Sequence, residues 1–362
     1  MAKKVLKIVG GVLGALVLIV VIYVVYVMAS YYRLDDSLSL ETAAPEEGQV
    51  ESVIELDAGS QGTAQEFTIV SANLGFGAYG PDFDFFMDGG TMVRPESEQI
   101  VRDNMNGILS ELARQDADIY LLQEVDFDSY RSYYVNQADT YRHGLSLNMA
   151  VAYNYKCDFV PFPWPPLGKV ESGLVTFTDL NVTQATRESL PVPFTWPMRV
   201  ANLKRCLLVE RVPVEGTEKE LVIINLHLEA YDDGEGKRAQ TEQLMQIIAA
   251  EYRNGNYVIA GGDFNQTFEG ADTFPVLDES TWQPGKLYNS ELPAGFSYVF
   301  DASKPTCRLL DKPYDGDREN AQLYVIDGFI VSDNLKVNLI QTVDLNFQHS
   351  DHNPVLVQVT PQ

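Results

Sequence analysis

The sequence predicts an α/β domain of two packed β-sheets with helices outside, standing behind an N-terminal membrane-spanning helix. Three observations carry this reading. Residues 8–29 run without a charge and are rich in Val, Leu and Ile. From about Glu66 on, short β-rich apolar runs recur to the C-terminus. Only two clear amphipathic helices interrupt them, a ratio that suits sheet packed on sheet.

The uncharged run comes first. At 1.5 Å per residue its 22 residues make a helix about 33 Å long, enough for a hydrocarbon core of roughly 30 Å. Lys3, Lys4 and Lys7 precede it, whereas Arg33, Asp35 and Asp36 follow. The positive-inside bias therefore puts the N-terminus in the cytoplasm and all that follows outside. A cleaved signal peptide is the competing reading, since Val27-Met28-Ala29 ends on a small residue. Its apolar stretch would exceed the usual ~7–15 residues. Residues 1–33 are taken as the anchor of a single-pass protein of the cell membrane. Residues 34–65 are acidic, without a basic residue, and read as a linker. Residues 66–362 form the globular domain.

Within that domain, strands are expected over residues 67–72, 118–123, 148–153, 173–178, 206–212, 221–227, 257–260, 324–331 and 355–359. One helix spans about 96–113, with Pro95 near its start and Ile100, Val101, Met105, Ile108, Leu109 and Leu112 on one face. The other spans about 237–253, with Leu244, Met245, Ile248 and Tyr252 inward and Gly255 at its C-terminal end.

Charge narrows the function. The chain holds 26 Lys+Arg against 51 Asp+Glu, for a net charge of −25. The first 33 residues contribute four basic residues and no acid, so residues 34–362 carry −29. Duplex DNA is held by Lys and Arg through counterion release, which makes this a poor chain for non-specific nucleic-acid binding. Three cysteines (Cys157, Cys206, Cys307) without C-x-x-C spacing give neither a disulfide framework nor a zinc site.

Polar residues fit for metal or phosphate chemistry recur at the ends of the apolar strands. Asn73 closes the first, Glu124 the second with Asp126 after it, and His227 the sixth. Asp263 and Asn265 follow the seventh across what reads as a Gly261-Gly262 turn. Asp327 sits inside an otherwise apolar strand, a costly place for an unpaired carboxylate. Ser350, Asp351 and His352 directly precede the last strand. Singly each has a structural explanation as turn former, cap or core histidine; together, on one rim, they form a site.

In order along the chain stand N-L-G at 73–75, L-Q-E-V-D at 122–126, N-L-H-L at 225–228, G-D-F-N at 262–265, I-D-G-F-I-V-S at 326–332 and S-D-H-N-P-V at 350–355. This series resembles the endonuclease/exonuclease/phosphatase superfamily over about residues 66–362. The resemblance implies a four-layer α/β sandwich, two packed mixed β-sheets flanked by helices, with a Mg²⁺ site on one rim. It also implies cleavage of phosphoester bonds, which members carry out in DNA, RNA, inositol phosphates, sphingomyelin and nucleotide-tipped adaptors.

Roles follow from the chemistry and from the resemblance. Oxygen ligands suit a hard cation, Mg²⁺ or alternatively Mn²⁺, with Glu124 as main ligand and Asn73 and Asp351 beside it. Asp263 would orient or deprotonate the attacking water, and Asn265 would donate to a phosphate oxygen. His352, polarised by Asp327, would act as base or phosphate clamp, and His227 would donate to the phosphate or leaving oxygen. A further partner between the second and third motifs is sought among Tyr153, Tyr155 and Ser172. Residues 76–90 form a long loop fit to shape a pocket. Residues 159–167 (FVPFPWPPL) read as a rigid cover of the core, with contact to lipid headgroups as the alternative. Arg94, Lys204, Arg205 and Arg238 read as solvated surface, with contact to phosphate as the alternative. The expected protein is a monomeric, extracytoplasmic Mg²⁺-dependent phosphoesterase acting on a small phosphorylated molecule or a lipid headgroup. The rivals are a nuclease on the same scaffold and a non-catalytic binding module.

Overall fold

In the computed structural model, which describes residues 2–44, 64–271 and 273–362, the apolar runs pair into two large mixed sheets. In chain order the strands begin with β1 (Ser37–Leu40), β2 (Phe67–Asn73), β3 (Ile119–Asp126), β4 (Asn148–Val160) and β5 (Gly168–Thr178). Next come β6 (Gln184–Ser189), β7 (Cys206–Pro213), β8 (Glu220–His227), β9 (Tyr257–Asp263), β10 (Gln266–Phe268) and β11 (Gly285–Leu287). The series ends with β12 (Phe296–Val299), β13 (Cys307–Arg308), β14 (Leu323–Tyr324), β15 (Asp327–Ser332), β16 (Leu335–Thr342) and β17 (Val355–Pro361). One sheet has the order β16-β17-β2-β3-β5-β4, the other β1-β6-β7-β8-β9-β15-β12. Among the described residues four α-helices accompany them: α1 (Ala2–Ala29), α2 (Glu98–Gln115), α3 (Gln137–Leu145) and α4 (Glu235–Arg253).

Alternation along the central strands explains the stacking. Ile69, Ile119 and Leu121 of one sheet meet Ile223, Ile259 and Phe329 of the other in a buried inter-sheet core. The opposite faces pack against helices, Val70 and Leu122 on α2 and α3, Ile224 and Ala260 on α4. A polar clamp crosses the core just behind the rim: Gln123 Nε2 donates to Asn225 Oδ1 at 2.8 Å, and Asn225 Nδ2 donates to the carbonyls of Leu122 and Val175. Helix α2 starts where Ser97 accepts the Ile100 N–H, and α4 ends before Gly255, whose φ of +81° continues the chain left-handed.

Four expectations change. Ser37–Leu40, inside the acidic linker, pairs antiparallel with β6, so the chain joins the sheet before residues 45–63, which lie outside the described residues. Ile100, expected inward on the first helix, is exposed. Gly261 and Gly262 are not a turn but the last residues of β9 before Asp263, paired with β15 and β8. A side chain at Gly262 would meet the Leu226 carbonyl at 1.9 Å, so only glycine lets the two parallel strands close there. Residues 159–167 cover the core only at their ends, through the buried Val160 and Leu167, while Phe162 is 71% and Trp164 90% exposed.

Candidate active site

Parallel pairing fixes the site. β2 and β3 run parallel in one sheet, as do β8 and β9 in the other, so the C-terminal ends of all four reach the same rim. Asn73 there donates through Nδ2 to Asp263 Oδ2 at 3.0 Å and to Glu124 Oε1 at 3.4 Å, while its Oδ1 accepts the Gly75 N–H. Glu124 lies at a β-bulge in β3 with φ +53°, a left-handed conformation that costs a non-glycine residue about 1–2 kcal/mol. The bulge turns its carboxylate toward the other sheet, where His227 Nε2 stands 3.9 Å away. His227 is the parallel-register neighbour of Asp263, 3.4 Å from it, and its buried Nδ1 has no hydrogen-bond partner.

Asp263 is held from two sides, by Asn73 on Oδ2 and by the Asn265 backbone N–H on Oδ1 at 2.8 Å. Asn265 adopts φ +51°, and its side chain donates to the Leu228 carbonyl. Asp327 begins β15 directly across from Asp263. Its Oδ2 meets His352 Nδ1 at 2.8 Å, and its backbone N–H donates to Thr306 Oγ1. The Ser350 hydroxyl donates to the Asn73 carbonyl and accepts the His352 N–H, which locks the loop carrying Asp351 and His352 onto the rim. His352 Nε2 then faces Asp263 Oδ2 at 3.8 Å and Asp351 Oδ2 at 3.9 Å. The structure thus brings together all eight residues singled out in the sequence.

Burial dominates the electrostatics. It pushes Asp263 and Asp351 up to about 7, with the Asp327 charge adding to the effect at Asp263. His227 falls well below the ordinary imidazole value, from burial and then the nearby Arg205. At His352 burial opposes the charged ring, but the facing Asp327 and Asp351 carboxylates outweigh it and hold the imidazole well above its usual value.

Such a concentration of buried carboxylate oxygen fits a divalent cation. Two groups place three candidate ligand atoms within 4.8 Å, Cys307–Asp351–His352 and Asp263–Asp327–His352. Neither is a good cage. His352 Nδ1 is engaged by Asp327, and burial pushes the Cys307 thiol up to about 12, far from the thiolate a metal needs. The oxygens of Glu124 and Asp351, with Asn73 directly behind Glu124, are the better set for a hard cation.

This floor closes a cavity of about 540 Å³. Among its lining residues, Arg131, Asp88 and Tyr231 were not singled out in the sequence. Arg131 forms a bidentate pair with Asp126 (3.0 and 2.9 Å) and stacks on the Phe76 ring. Asp126 is therefore spent on that pair. Arg205, expected at the surface, is 4% exposed and lines the cavity, with Nε and Nη1 unbonded and Glu229 no closer than 4.0 Å. Tyr155 and Ser172 also line it, but their hydroxyls donate to the carbonyls of Ala201 and Val125. Tyr153 lies apart, against Phe127. Asp88, raised to about 6 by burial, accepts from Tyr231 in the same wall. No spacing pattern in the sequence marks these arginines; only folding shows them buried.

A sequence profile of the Endonuclease/Exonuclease/phosphatase family matches residues 73–352. Among solved structures, an endonuclease/exonuclease/phosphatase from Beutenbergia cavernae is similar at 16% identity and a TM-score of 0.56, over 82% of this chain and 72% of that one. An endonuclease/exonuclease/phosphatase family protein from Leptotrichia buccalis is similar at 15% identity and a TM-score of 0.51, over 81% of this chain and 99% of that one. At these identities the likeness is one of fold. Comparison with curated protein sequences finds no match.

Proposed function

The chain belongs to the endonuclease/exonuclease/phosphatase family, whose members are generally metal-dependent hydrolases, and on that premise we propose that it is a membrane-anchored, extracytoplasmic, Mg²⁺-dependent phosphoesterase. The observation that carries the reading is the convergence of Glu124, His227, Asp263, Asp351 and His352 at the floor of one cavity, with Asn73 bonded to Glu124 and Asp263 behind them. A cation held by Glu124, Asn73 and Asp351 would supply positive charge to the phosphoryl oxygens. The chain's own residues do the rest. Asp263, fixed by Asn73 and Asn265, orients the attacking water and receives its proton. His352, aligned by Asp327, offers Nε2 to a phosphate oxygen from the opposite side. Arg205 lines the same cavity with its buried Nε and Nη1 lacking hydrogen-bond partners, which suits a second contact to the phosphate.

The charge of −29 on residues 34–362 supports a compact substrate with one or two phosphates over a polyanion. Turnover of bis-p-nitrophenyl phosphate by the full chain in detergent tests the chemistry. It should vanish with a chelator and return with Mg²⁺ or Mn²⁺. Chelator-resistant turnover would sink the metal reading, and no turnover with any divalent ion would sink the phosphoesterase reading. Protease added to intact cells should remove residues 34–362; full protection while the membrane is sealed would overturn the topology.

A further inference from the structure

We propose that the cavity opens onto the bilayer spanned by its own anchor helix, and that its substrate is a phosphodiester lipid drawn from that leaflet. This rests on the phosphoesterase reading and names the substrate class of the same site. Three observations meet here. First, the anchor helix is part of the site. Tyr23 lines the cavity that holds His227 and Asp263, its hydroxyl donates to the Phe159 carbonyl at 3.1 Å, and Tyr26 bonds Asp158. Val27, the one buried residue of α1, packs with Val160, Leu167 and Val200.

Second, continuity fixes depth. Lys7 is the last charge before the span, and a hydrocarbon core of roughly 30 Å takes about 20 residues at 1.5 Å each. Those 20 residues from Ile8 reach Val27. The turns carrying Tyr23 and Val27 therefore sit at the bilayer boundary, and so do the loops packed on them. Tyrosine and tryptophan favour that depth, where one end of the ring is apolar and the other wet.

Third, those loops expose what a bilayer would cover. Trp164 is 90% exposed and Trp196 63%, beside the exposed Phe162 and Met198 at the cavity mouth. Residues 159–167 and 191–205 hold no acid, and the exposed Arg199 lies among them, a local departure from a strongly acidic domain. Apolar side chains such as Phe86, Phe162, Phe194 and Met198 then line the way down to the carboxylate floor. A lipid can keep its tails in the leaflet and its upper chain carbons in this throat while its phosphate reaches Glu124 and His352. Water adds to phosphorus, one P–O ester bond breaks, and the leaving oxygen takes up a proton, giving a phosphomonoester and an alcohol.

The test reconstitutes the full chain in phosphatidylcholine/phosphatidylglycerol vesicles, some carrying lipids brominated near the headgroup. The wild type should hydrolyse vesicle phospholipid, and the bromolipids should quench its tryptophan fluorescence. The double variant Trp164→Ala/Trp196→Ala should lose that quenching, because only Trp282 remains. It should lose about tenfold in vesicle turnover yet keep its rate on soluble bis-p-nitrophenyl phosphate. Absent quenching, or an unchanged vesicle rate in the variant, overturns the docking. If bis-p-nitrophenyl phosphate is cut and vesicle lipid is not, the lipid substrate falls while the phosphoesterase reading stands. If neither is cut, that reading falls with it.

Discussion

Glu210 should make the fold weaken as pH rises. It lies in mid-β7 on the face that looks into the sandwich, between Leu208 and Val212 and across from Ala185 and Ile223. It is 1% exposed, and neither carboxyl oxygen has a hydrogen-bond partner. Burial alone pushes it from 4.5 up to about 8. The folded state therefore keeps a proton that the unfolded chain releases, and stability drains away as pH climbs from 4.5 to 8. Between ~pH 5 and ~pH 9 the linkage amounts to about 4 kcal/mol, at ~1.4 kcal/mol per pH unit. For a domain of ~300 residues that is roughly 6 °C in Tm. Glu210→Gln keeps the shape of the protonated acid and cannot ionise. Thermal melts of the full chain in mild detergent at both pH values should show wild type losing roughly 6 °C more than the variant. Parallel pH dependence in the two proteins would refute the argument, because every other acid is common to both.

The remaining predictions concern the rim. Glu124→Gln should abolish turnover without unfolding the protein; a rate above about a tenth of wild type, a barrier change under ~1.4 kcal/mol, would refute the ligand assignment. His352→Ala and Asp327→Asn should be non-additive in kcat, because the 2.8 Å pair makes the carboxylate act only through the ring, and additive losses would break the pair. Arg205→Met should retain its circular dichroism but lose about 10- to 100-fold in kcat/KM, as expected for one charge-assisted contact to phosphate of ~1.5–3 kcal/mol. An unchanged kcat/KM would return Arg205 to a purely structural role.

What the sequence disclosed and what it hid divide along physical lines. Strands such as β2, β3, β8 and β9 are largely apolar runs because both faces are covered, and each ends in a polar residue at the rim, where water and ligand enter. That is why Asn73, Glu124, His227 and Asp263 stand out as candidates in one sequence. β16 escaped because a bulge between Val337 and Leu339 shifts the alternation by one residue. β6 (QATRES) escaped because its burial rests on hydrogen bonding: the Arg187 guanidinium bonds the carbonyls of Tyr153 and Lys204. α3 buries only Gln137, Ala138 and Tyr141, too short a stripe to read. Arginine is ordinarily solvated, so no local pattern distinguishes Arg131 and Arg205 from Arg94 or Arg238. In residues 159–167 the buried Val160 and Leu167 alternate with the exposed Phe162 and Trp164, a division that the run of aromatic and proline residues does not signal.

The site belongs to neither sheet alone. β2-α2-β3 brings Asn73 and Glu124 to the rim by one parallel crossover, and β8-α4-β9 brings His227 and Asp263 there by another. Each unit by itself offers half a site, two polar ends without the opposing pair. The Gln123–Asn225 hydrogen bond clamps β3 to β8 one residue behind Glu124 and two behind His227, so the halves meet at a fixed spacing. Antiparallel β15 and the loop before β17 then enter from the opposite direction, and the Asp327–His352 pair reaches the same rim by starting there rather than ending there. The left-handed Glu124 and the side-chain-free Gly262 are the two local concessions to this meeting. One turns a carboxylate across the gap, and the other lets β8 and β9 close tightly enough to hold His227 beside Asp263.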